Sequence, residues 1–230
     1  MLRTIYDELS RICSKNPGSS GESREQCIAR ESEAICKIAN ELGLLKKLSN
    51  FDQLEPNVMG AEHAVFYNSD KRILKVTIPE HGFGLIPRLN THLRQVHDSV
   101  EPEIIKQIEF YPASVTEYLK RWLLCNELFQ DDVELLGVVQ WEDSTISLKI
   151  DQPYYSGDVV TVEEIQSEFI TKGWERSYKD GRAVFINYAY NVIALDLEPR
   201  NCFLGKTGLQ PFDVIVAEPN EELEEYLGIY

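Results

Sequence analysis

The chain has 230 residues, of which 43% are hydrophobic and 27% are charged, which is typical of a globular protein large enough to bury a substantial core. A formal net charge of −15 disfavours nucleic acid and anionic membranes as partners, because phosphate groups are bound by clustered Lys and Arg side chains. The charge does not exclude ATP, since Mg²⁺ and one or two lysines would screen its phosphates locally.

No apolar run approaches the length that spans a bilayer, and the N-terminus lacks the hydrophobic segment of a signal peptide. We therefore expect a cytoplasmic protein. The five cysteines include no C-x-x-C pair and are odd in number, so we predict reduced thiols rather than a disulfide framework or a zinc site.

Apolar residues at helical spacing predict two helices in the first fifty residues. The first covers residues 2–12, and the second runs from about residue 23 to about residue 48, with Gly43 as a candidate break near its end. The polar segment 16–21 separates them. This part of the chain carries no recognisable chemistry, so we expect it to pack on the rest of the protein or to bind a partner.

From residue 60 the pattern changes to that of strands, with strands predicted over 60–67 and 72–77 and a turn over 68–70. Lys75 points to the opposite face of this hairpin from its two apolar neighbours. Two interpretations remain open: an ammonium on the inward face that holds phosphate groups, or a lysine on the solvent face of an edge strand. Gly60 stands where a glycine-rich loop would begin, although the full G-x-G-x-x-G pattern is absent.

A helix is predicted from Ser114 onward, because Ser114 and Glu117 fit a capping box and an apolar stripe follows. Asn126 falls on that stripe, where its amide needs hydrogen-bond partners. Further on, strands are predicted over 134–140 and 145–150, a helix over 162–173 and short strands over 183–187 and 191–195.

A polar motif follows the last of these strands: Asp196-x-x-Pro199-x-Asn201 and, twelve residues on, Asp213. This spacing is typical of the catalytic core of protein-kinase-like phosphotransferases. In those enzymes one Asp orients the attacking hydroxyl, the Asn holds a metal ion, and the second Asp bridges the metals to the ATP phosphates. The alternative is a polar turn followed by a hairpin over residues 204–208 that leads into one more strand.

The order of these parts resembles that of the protein kinase-like fold, and the chain is similar, more narrowly, to the polyvalent protein kinase domain family of bacteria and their phages. The resemblance spans about residues 60–216. It is carried by Gly60-x-Glu62-His63-x-Val65, Lys75-Val76-Thr77, Tyr118-Leu119 with Asn126 and Phe129, Gly137-Val138, Gln152-Pro153, the Asp196 motif, and Pro211-x-Asp213-Val214.

The resemblance implies an α+β protein with a two-lobed, kinase-like fold. The kinase-like domain would cover residues 56–230, with an N-lobe over about 56–150, a hinge over about 150–156 and a reduced C-lobe over about 157–230. Residues 1–55 would form an N-terminal helical extension.

The resemblance also implies ATP and Mg²⁺ as cofactors. Lys75 would hold the phosphates, Asp196 would be the catalytic base, and Asn201 and Asp213 would bind the metal. Gly60 would lie by the nucleotide, and the linker at Gln152 and Pro153 would present its backbone to adenine.

The helix after Ser114 would offer a carboxylate to Lys75. Glu117 is the candidate for this partner and Glu127 is the reserve. The capping box explains Glu117 equally well, so both interpretations of this carboxylate remain open.

The motif departs from that of ordinary protein kinases in three ways. Ala194 and Leu195 replace the usual His-Arg before Asp196, Asp213 is followed by Val-Ile rather than Phe-Gly, and few residues follow Asp213. Two functions are therefore carried forward. The first is phosphoryl transfer to a protein or small-molecule hydroxyl, and the second is a catalytically weak or inactive, nucleotide-binding pseudokinase that acts through a protein partner.

Overall fold

Helices and strands are interleaved along the chain, and the fold is of the α+β class that the sequence predicts. The chain divides into two units, of which the first comprises Met1–Leu85 and Pro112–Tyr154 and the second comprises Ile86–Tyr111 and Tyr155–Tyr230. The computed structural model describes residues 1–15, 18, 21–68, 71–79, 82–94, 103–206 and 208–229.

Five α-helices lie within the described residues. They are α1 (Leu2–Lys15), α2 (Arg24–Glu41), α3 (Val115–Phe129), α4 (Val162–Thr171) and α5 (Glu221–Leu227). None of them is both long and apolar enough to cross a lipid bilayer. All five cysteines are free thiols, as the sequence predicts.

The first unit contains a six-stranded sheet in the order β1-β7-β8-β4-β3-β2. Strands β1 and β7 are parallel, and the other neighbours are antiparallel. Strand β4 therefore lies inside the sheet, between β3 and β8. The strands are β1 (Leu45–Leu48), β2 (Val58–Met59), β3 (His63–Tyr67), β4 (Arg72–Thr77), β7 (Glu134–Trp141) and β8 (Ile146–Pro153).

Helix α3 begins as the sequence predicts. Ser114 caps it, and the reciprocal hydrogen bonds of the capping box with Glu117 are both present. The amide of Asn126 is satisfied by the loop that follows the helix, because Nδ2 donates to the carbonyl of Val133 at 2.9 Å and Oδ1 accepts from its N–H at 2.7 Å. A polar side chain on the apolar stripe therefore fixes the path of the chain from α3 into β7.

The second predicted helix is too long at its C-terminal end. Helix α2 ends at Glu41, and Leu45–Leu48 is the strand β1, which pairs in parallel with β7. Gly43 adopts a φ of +70°, which ends the helix and turns the chain towards the sheet. The predicted segment 16–21 and the predicted turn 68–70 lie mostly outside the described residues.

The second unit contains a four-stranded sheet in the order β10-β11-β12-β15, a three-stranded sheet in the order β14-β13-β9 and a two-stranded sheet of β5 and β6. Phe169 of α4 packs against Trp174 and Phe185, with ring centroids 5.3 and 5.1 Å away. The strands are β5 (Leu85–Arg94), β6 (Glu103–Pro112), β9 (Asp158–Val159), β10 (Glu175–Lys179), β11 (Arg182–Asn187), β12 (Val192–Leu195), β13 (Cys202–Gly205), β14 (Gly208–Pro211) and β15 (Ile215–Ala217).

Gly137 of β7 gives a first prediction, on the packing of α2 and β1 onto the sheet. A Cβ at this position would lie 2.7 Å from the backbone oxygen of Leu44, which joins α2 to β1. We expect Gly137→Ala to destabilise the protein by about 1–3 kcal/mol and to lower its melting temperature by about 2–4 °C per kcal/mol. At Gly60, the matched control, the nearest atom to a Cβ is the His63 oxygen at 3.4 Å, so Gly60→Ala should melt like wild type. Equal melting temperatures for the two variants would contradict this packing.

Candidate functional site

Asp196 stands at the point where a buried strand ends. All four residues of β12 are buried, and Asp196 follows them with a φ of +58°, in the left-handed region. Asp is one of the few residues that adopt this region readily, and a non-glycine residue held there often marks a functional site. Asp196 therefore lies at the edge of the core, directly after the buried strand β12.

Asn201 fixes this turn. Its Nδ2 donates to both the backbone oxygen and the Oδ2 of Asp196, each at 2.9 Å, and the residue is 8% exposed. The short 3-10 helix Pro199–Asn201 shapes the turn between the two residues, and the Glu198 carbonyl accepts from the Asn201 N–H at 2.8 Å. Because Nδ2 of the Asn201 amide bonds to Asp196, the amide oxygen Oδ1 points away from Asp196.

Two strand pairings place Asp213 beside this turn. Cys202 pairs with Pro211 in the β13–β14 hairpin, and one step further the Phe212 N–H donates to the Asn201 carbonyl at 2.8 Å. On the other side, Leu195 pairs with Ile215 across β12 and β15, so the next pair along this ladder would be Asp196 and Val214. The three predicted residues of the motif are therefore brought together within the second unit.

Asp213 also adopts a left-handed φ, of +57°. Arg200 partly neutralises the negative charge of the turn. Its Nη2 donates to Asp196 Oδ1 at 2.8 Å, and its Nε lies 3.1 Å from Glu198 Oε2. The hydrogen bond and charge of Asp196, followed by the charges of Glu198 and Asp213, raise the pKa of Arg200. The carboxylates thus form one acidic locus.

The donor atoms at this locus suit Mg²⁺. Magnesium prefers oxygen ligands and is usually held in proteins by one or two carboxylates. The Asp213 carboxylate and the fixed Asn201 Oδ1 are such ligands, whereas the nearest thiol, Cys202, is fully buried. The motif assigns the ion to Asn201 and Asp213, and this assignment stays a prediction.

Lys75 lies in the first unit and faces inward. It is 4% exposed, pairs with Val65 on β3 and Ile150 on β8, and places Nζ 5.2 Å from the centre of the Trp122 ring on α3. A lysine on the solvent face of an edge strand, the alternative left open by the sequence, is not what the structure has. An inward ammonium is the orientation that phosphate binding requires.

Helix α3 supplies a second cation beside the same aromatic ring. The guanidinium of Arg121 lies 5.2 Å from the Trp122 ring centre and is 4% exposed, and its Nη1 is 2.7 Å from Glu62 Oε2. The sequence pattern identified Trp122 only as part of an apolar stripe and gave no signal for Arg121. Its side chain is long enough to reach Glu62 from a position adjacent to that stripe.

The loop before β3 carries the predicted glycine and two polar residues. Gly60 has no side chain, but its N–H donates to the His63 carbonyl at 2.9 Å and closes a tight turn between β2 and β3. His63 is buried, and its Nε2 lies 2.9 Å from the hydroxyl of Tyr118 on α3. With Glu62 bound to Arg121, the loop is tied to α3 at two points.

The two predicted helix carboxylates, Glu117 and Glu127, contact other residues of the first unit. Glu117 accepts from the Ser114 N–H at 2.8 Å and forms an ion pair with Arg24 of α2 at 2.5 Å. Glu127 is half exposed and lies 3.9 Å from Arg3. The capping role of Glu117 is confirmed, and its role towards Lys75 stays a prediction.

Gln152 and Pro153 belong to β8 rather than to a separate linker. They pair with Ile73 and Arg72 of β4, whereas the pairing of β8 with β7 ends at Asp151. The side chain of Gln152 is buried, with Nε2 3.4 Å from Asp131 Oδ2. Their contact with adenine stays a prediction.

Cys202 gives a pH-dependent prediction for the acidic turn. Burial, followed by the charge of Asp196, raises the pKa of this thiol from 9.0 to about 12. The folded protein therefore keeps a proton that the unfolded chain loses, and the stability this contributes is fully present below pH 9 and is lost as the pH rises towards 12. We expect the free energy of unfolding of wild type to fall more steeply than that of Cys202→Ala between about pH 9 and about pH 11, measured by denaturant unfolding. Equal slopes would contradict a buried, protonated thiol.

No protein-family model, curated protein or solved structure matches this chain. The resemblance to the polyvalent protein kinase domain family stays a prediction. A function has to be inferred from the chemistry of the residues that the fold brings together, above all Asp196, Asn201 and Asp213.

Proposed function

We propose that the chain is an ATP- and Mg²⁺-dependent phosphotransferase that moves a phosphoryl group to a protein or small-molecule hydroxyl. The observation that carries the proposal is the hydrogen bonding of Asn201 Nδ2 to both the backbone and the carboxylate of Asp196. It couples a carboxylate that can accept a proton to an amide oxygen that can bind a metal.

Each polar group has a role in this chemistry. Asp196 would orient the acceptor hydroxyl and take its proton as the oxygen attacks the γ-phosphorus, while ADP leaves. Asn201 and Asp213 would hold Mg²⁺, which when bound neutralises phosphate charge and orients the nucleotide. Catalysis of this kind depends on positioned charge more than on covalent chemistry, so a rigid turn is well suited to it.

The first unit supports the nucleotide half of the proposal. Lys75 is buried and directed inward, with Nζ beside the Trp122 ring, which is the orientation that holding phosphate requires. The tight turn that begins at Gly60 would lie over the phosphates. Glu62 and His63 tie this turn to α3.

The division of the chain supports a two-lobed, kinase-like fold. The third boundary between the units falls at Tyr154 and Tyr155, inside the predicted hinge of about residues 150–156. The units differ from the predicted lobes in two respects: residues 1–55 group with the first unit, and residues 86–111 group with the second. In this proposal the helical extension is an integral part of the first lobe.

One observation favours the second candidate, a nucleotide-binding protein without catalysis. Both carboxylate oxygens of Asp196 already accept hydrogen bonds, Oδ1 from Arg200 and Oδ2 from Asn201. A substrate hydroxyl would have to compete with Arg200 for Oδ1. The side chain of Arg200 is 67% exposed, so it can be displaced at low cost, and we place the enzyme first.

Phosphoryl transfer from labelled ATP with Mg²⁺ tests the proposal. Wild type should label itself or an added acceptor, and Asp196→Asn should lower the rate by about 100-fold or more, the range of general-base contributions. Asn tolerates the left-handed φ, so the variant should fold. Asp158→Asn removes an exposed carboxylate of β9 in the same unit and should transfer phosphate like wild type.

Thermal melting with saturating ATP and Mg²⁺ tests nucleotide binding, which both candidates require, and the transfer assay then separates them. A ligand that binds the folded state raises the melting temperature, so both candidates predict an upward shift for wild type. A shift without transfer would select the pseudokinase. Transfer that persists at the wild-type rate in Asp196→Asn would refute the catalytic assignment, and the absence of any shift would refute both candidates.

A further inference from the structure

Two side chains of α2 contact the beginning of α3. The Arg24 guanidinium of α2 forms an ion pair with Glu117 in the first turn of α3, and its Nε donates to the carbonyl of Pro112, just before the helix, at 2.8 Å. The ion pair is partly buried, with side-chain exposures of 29% and 21%. One arginine thus binds both the helix and the chain that enters it.

Glu31 makes a second, more deeply buried contact. Its residue exposure is 6%, and its Oε2 accepts from the backbone N–H of Thr116 at 2.7 Å. This N–H belongs to the first turn of α3, where backbone donors lack a partner within the helix and a negative charge is favoured. The carboxylate of α2 therefore completes the cap of α3 from a different element.

The other oxygen of Glu31 is also held. The thiol of Cys27, one turn earlier on α2, donates to Oε1 at 3.5 Å. Burial, followed by the charge and hydrogen bond of Glu31, raises the pKa of Cys27 to about 11, so the thiol keeps its proton at neutral pH and remains a donor. The orientation of Glu31 towards Thr116 is therefore fixed from both sides.

The remainder of α3 carries the side chains that meet the candidate nucleotide residues. Tyr118 bonds to His63, Arg121 to Glu62, and Trp122 lies beside Lys75. An α-helix moves largely as one rigid element, so a contact that fixes its first turn also fixes these three side chains. Arg24 and Glu31 reach the nucleotide residues only through α3.

We propose that α2 is a built-in positioning element for α3, in which Arg24 and Glu31 set the helix so that Lys75 and the loop at Gly60 are ordered for nucleotide binding. The inference rests on the proposed function and assigns a role to the N-terminal helices within it. Arg24 and Glu31 are positioning residues, because none of their contacts described here is to a residue that would touch the nucleotide.

Glu31→Met and Arg24→Met test the inference in the full chain. Both remove the polar contact to α3 and leave an unbranched apolar side chain, which is close to Glu31 in length and shorter than Arg24. We expect each variant to bind ATP·Mg²⁺ about fivefold or more weakly by titration calorimetry, the lower range of coupling between sites. Hydrogen exchange of the amides in the first turn of α3 should accelerate to a similar degree, measured without nucleotide.

Two further variants serve as a conservative replacement and as a matched control. Glu31→Gln keeps an acceptor for the Thr116 N–H and should recover most of the affinity that Glu31→Met loses. Glu33→Met alters an exposed carboxylate on the same helix and should leave both affinity and exchange at the wild-type level. If Glu31→Met does not fold, Arg24→Met keeps the test available, because its side chain is partly exposed.

The outcomes separate the inference from the proposed function. Wild type that fails to bind ATP·Mg²⁺ refutes the proposed function, and the positioning role falls with it. Wild type that binds, alongside Glu31→Met and Arg24→Met variants of unchanged affinity, overturns the positioning role and leaves the function intact. Weakened binding without faster exchange in α3 also overturns it, since the effect would then reach the nucleotide by another route.

Discussion

One hydrogen-bonded pair determines the candidate metal site: a single amide nitrogen, Nδ2 of Asn201, holds both the main chain and the side chain of Asp196. Asp196 occupies a left-handed conformation, which costs about 1–3 kcal/mol that the surroundings must offset, and the Asn201 amide helps to hold it together with the Glu198 N–H, which donates to the Asp196 carbonyl at 3.0 Å. Asn201 also anchors Phe212 through its carbonyl, so the position of Asp213 follows from the position of Asn201. Without this amide the Asp196 carboxylate loses a hydrogen bond that orients it, whereas the main chain next to Asp213 is still held by the β12–β15 and β13–β14 pairings.

In the first unit the corresponding constraint is the burial of charge against α3. Lys75 and Arg121 both lie beside Trp122, and burying two cations in one region is tolerated only where carboxylates and aromatic faces compensate them. Glu62 supplies one such carboxylate. Helix α3 therefore links the loop and the strand that would bind phosphate. Its own position depends on α2, which gives the N-terminal residues a mechanical role that their composition does not suggest.

The parts of this arrangement that were predictable are those encoded locally. The capping box at Ser114 and the Asp196 motif each depend on a few adjacent residues, and the structure has both features. The neighbours of Lys75 left its direction open, and the structure shows the inward one. Long-range contacts were not predictable. Strand β1 is predicted as the end of a helix, because its parallel partner lies about ninety residues away along the chain. The position of Glu117 on α3 suggests a partner for Lys75, but nothing nearby in the sequence shows that Arg24 reaches it from another helix.

The central claim, that the chain binds ATP·Mg²⁺ through Lys75, is tested most directly by titration calorimetry of Lys75→Met against Lys149→Met. Lys149 pairs with Val76 on the opposite face of the same sheet, so it matches Lys75 in residue type and location but not in direction. We predict Mg²⁺-dependent ATP binding by wild type and Lys149→Met, and at least about tenfold weaker binding by Lys75→Met, because a charge-assisted contact to phosphate is lost. ATP binding of equal strength in wild type and Lys75→Met, or no binding by wild type, would contradict the account.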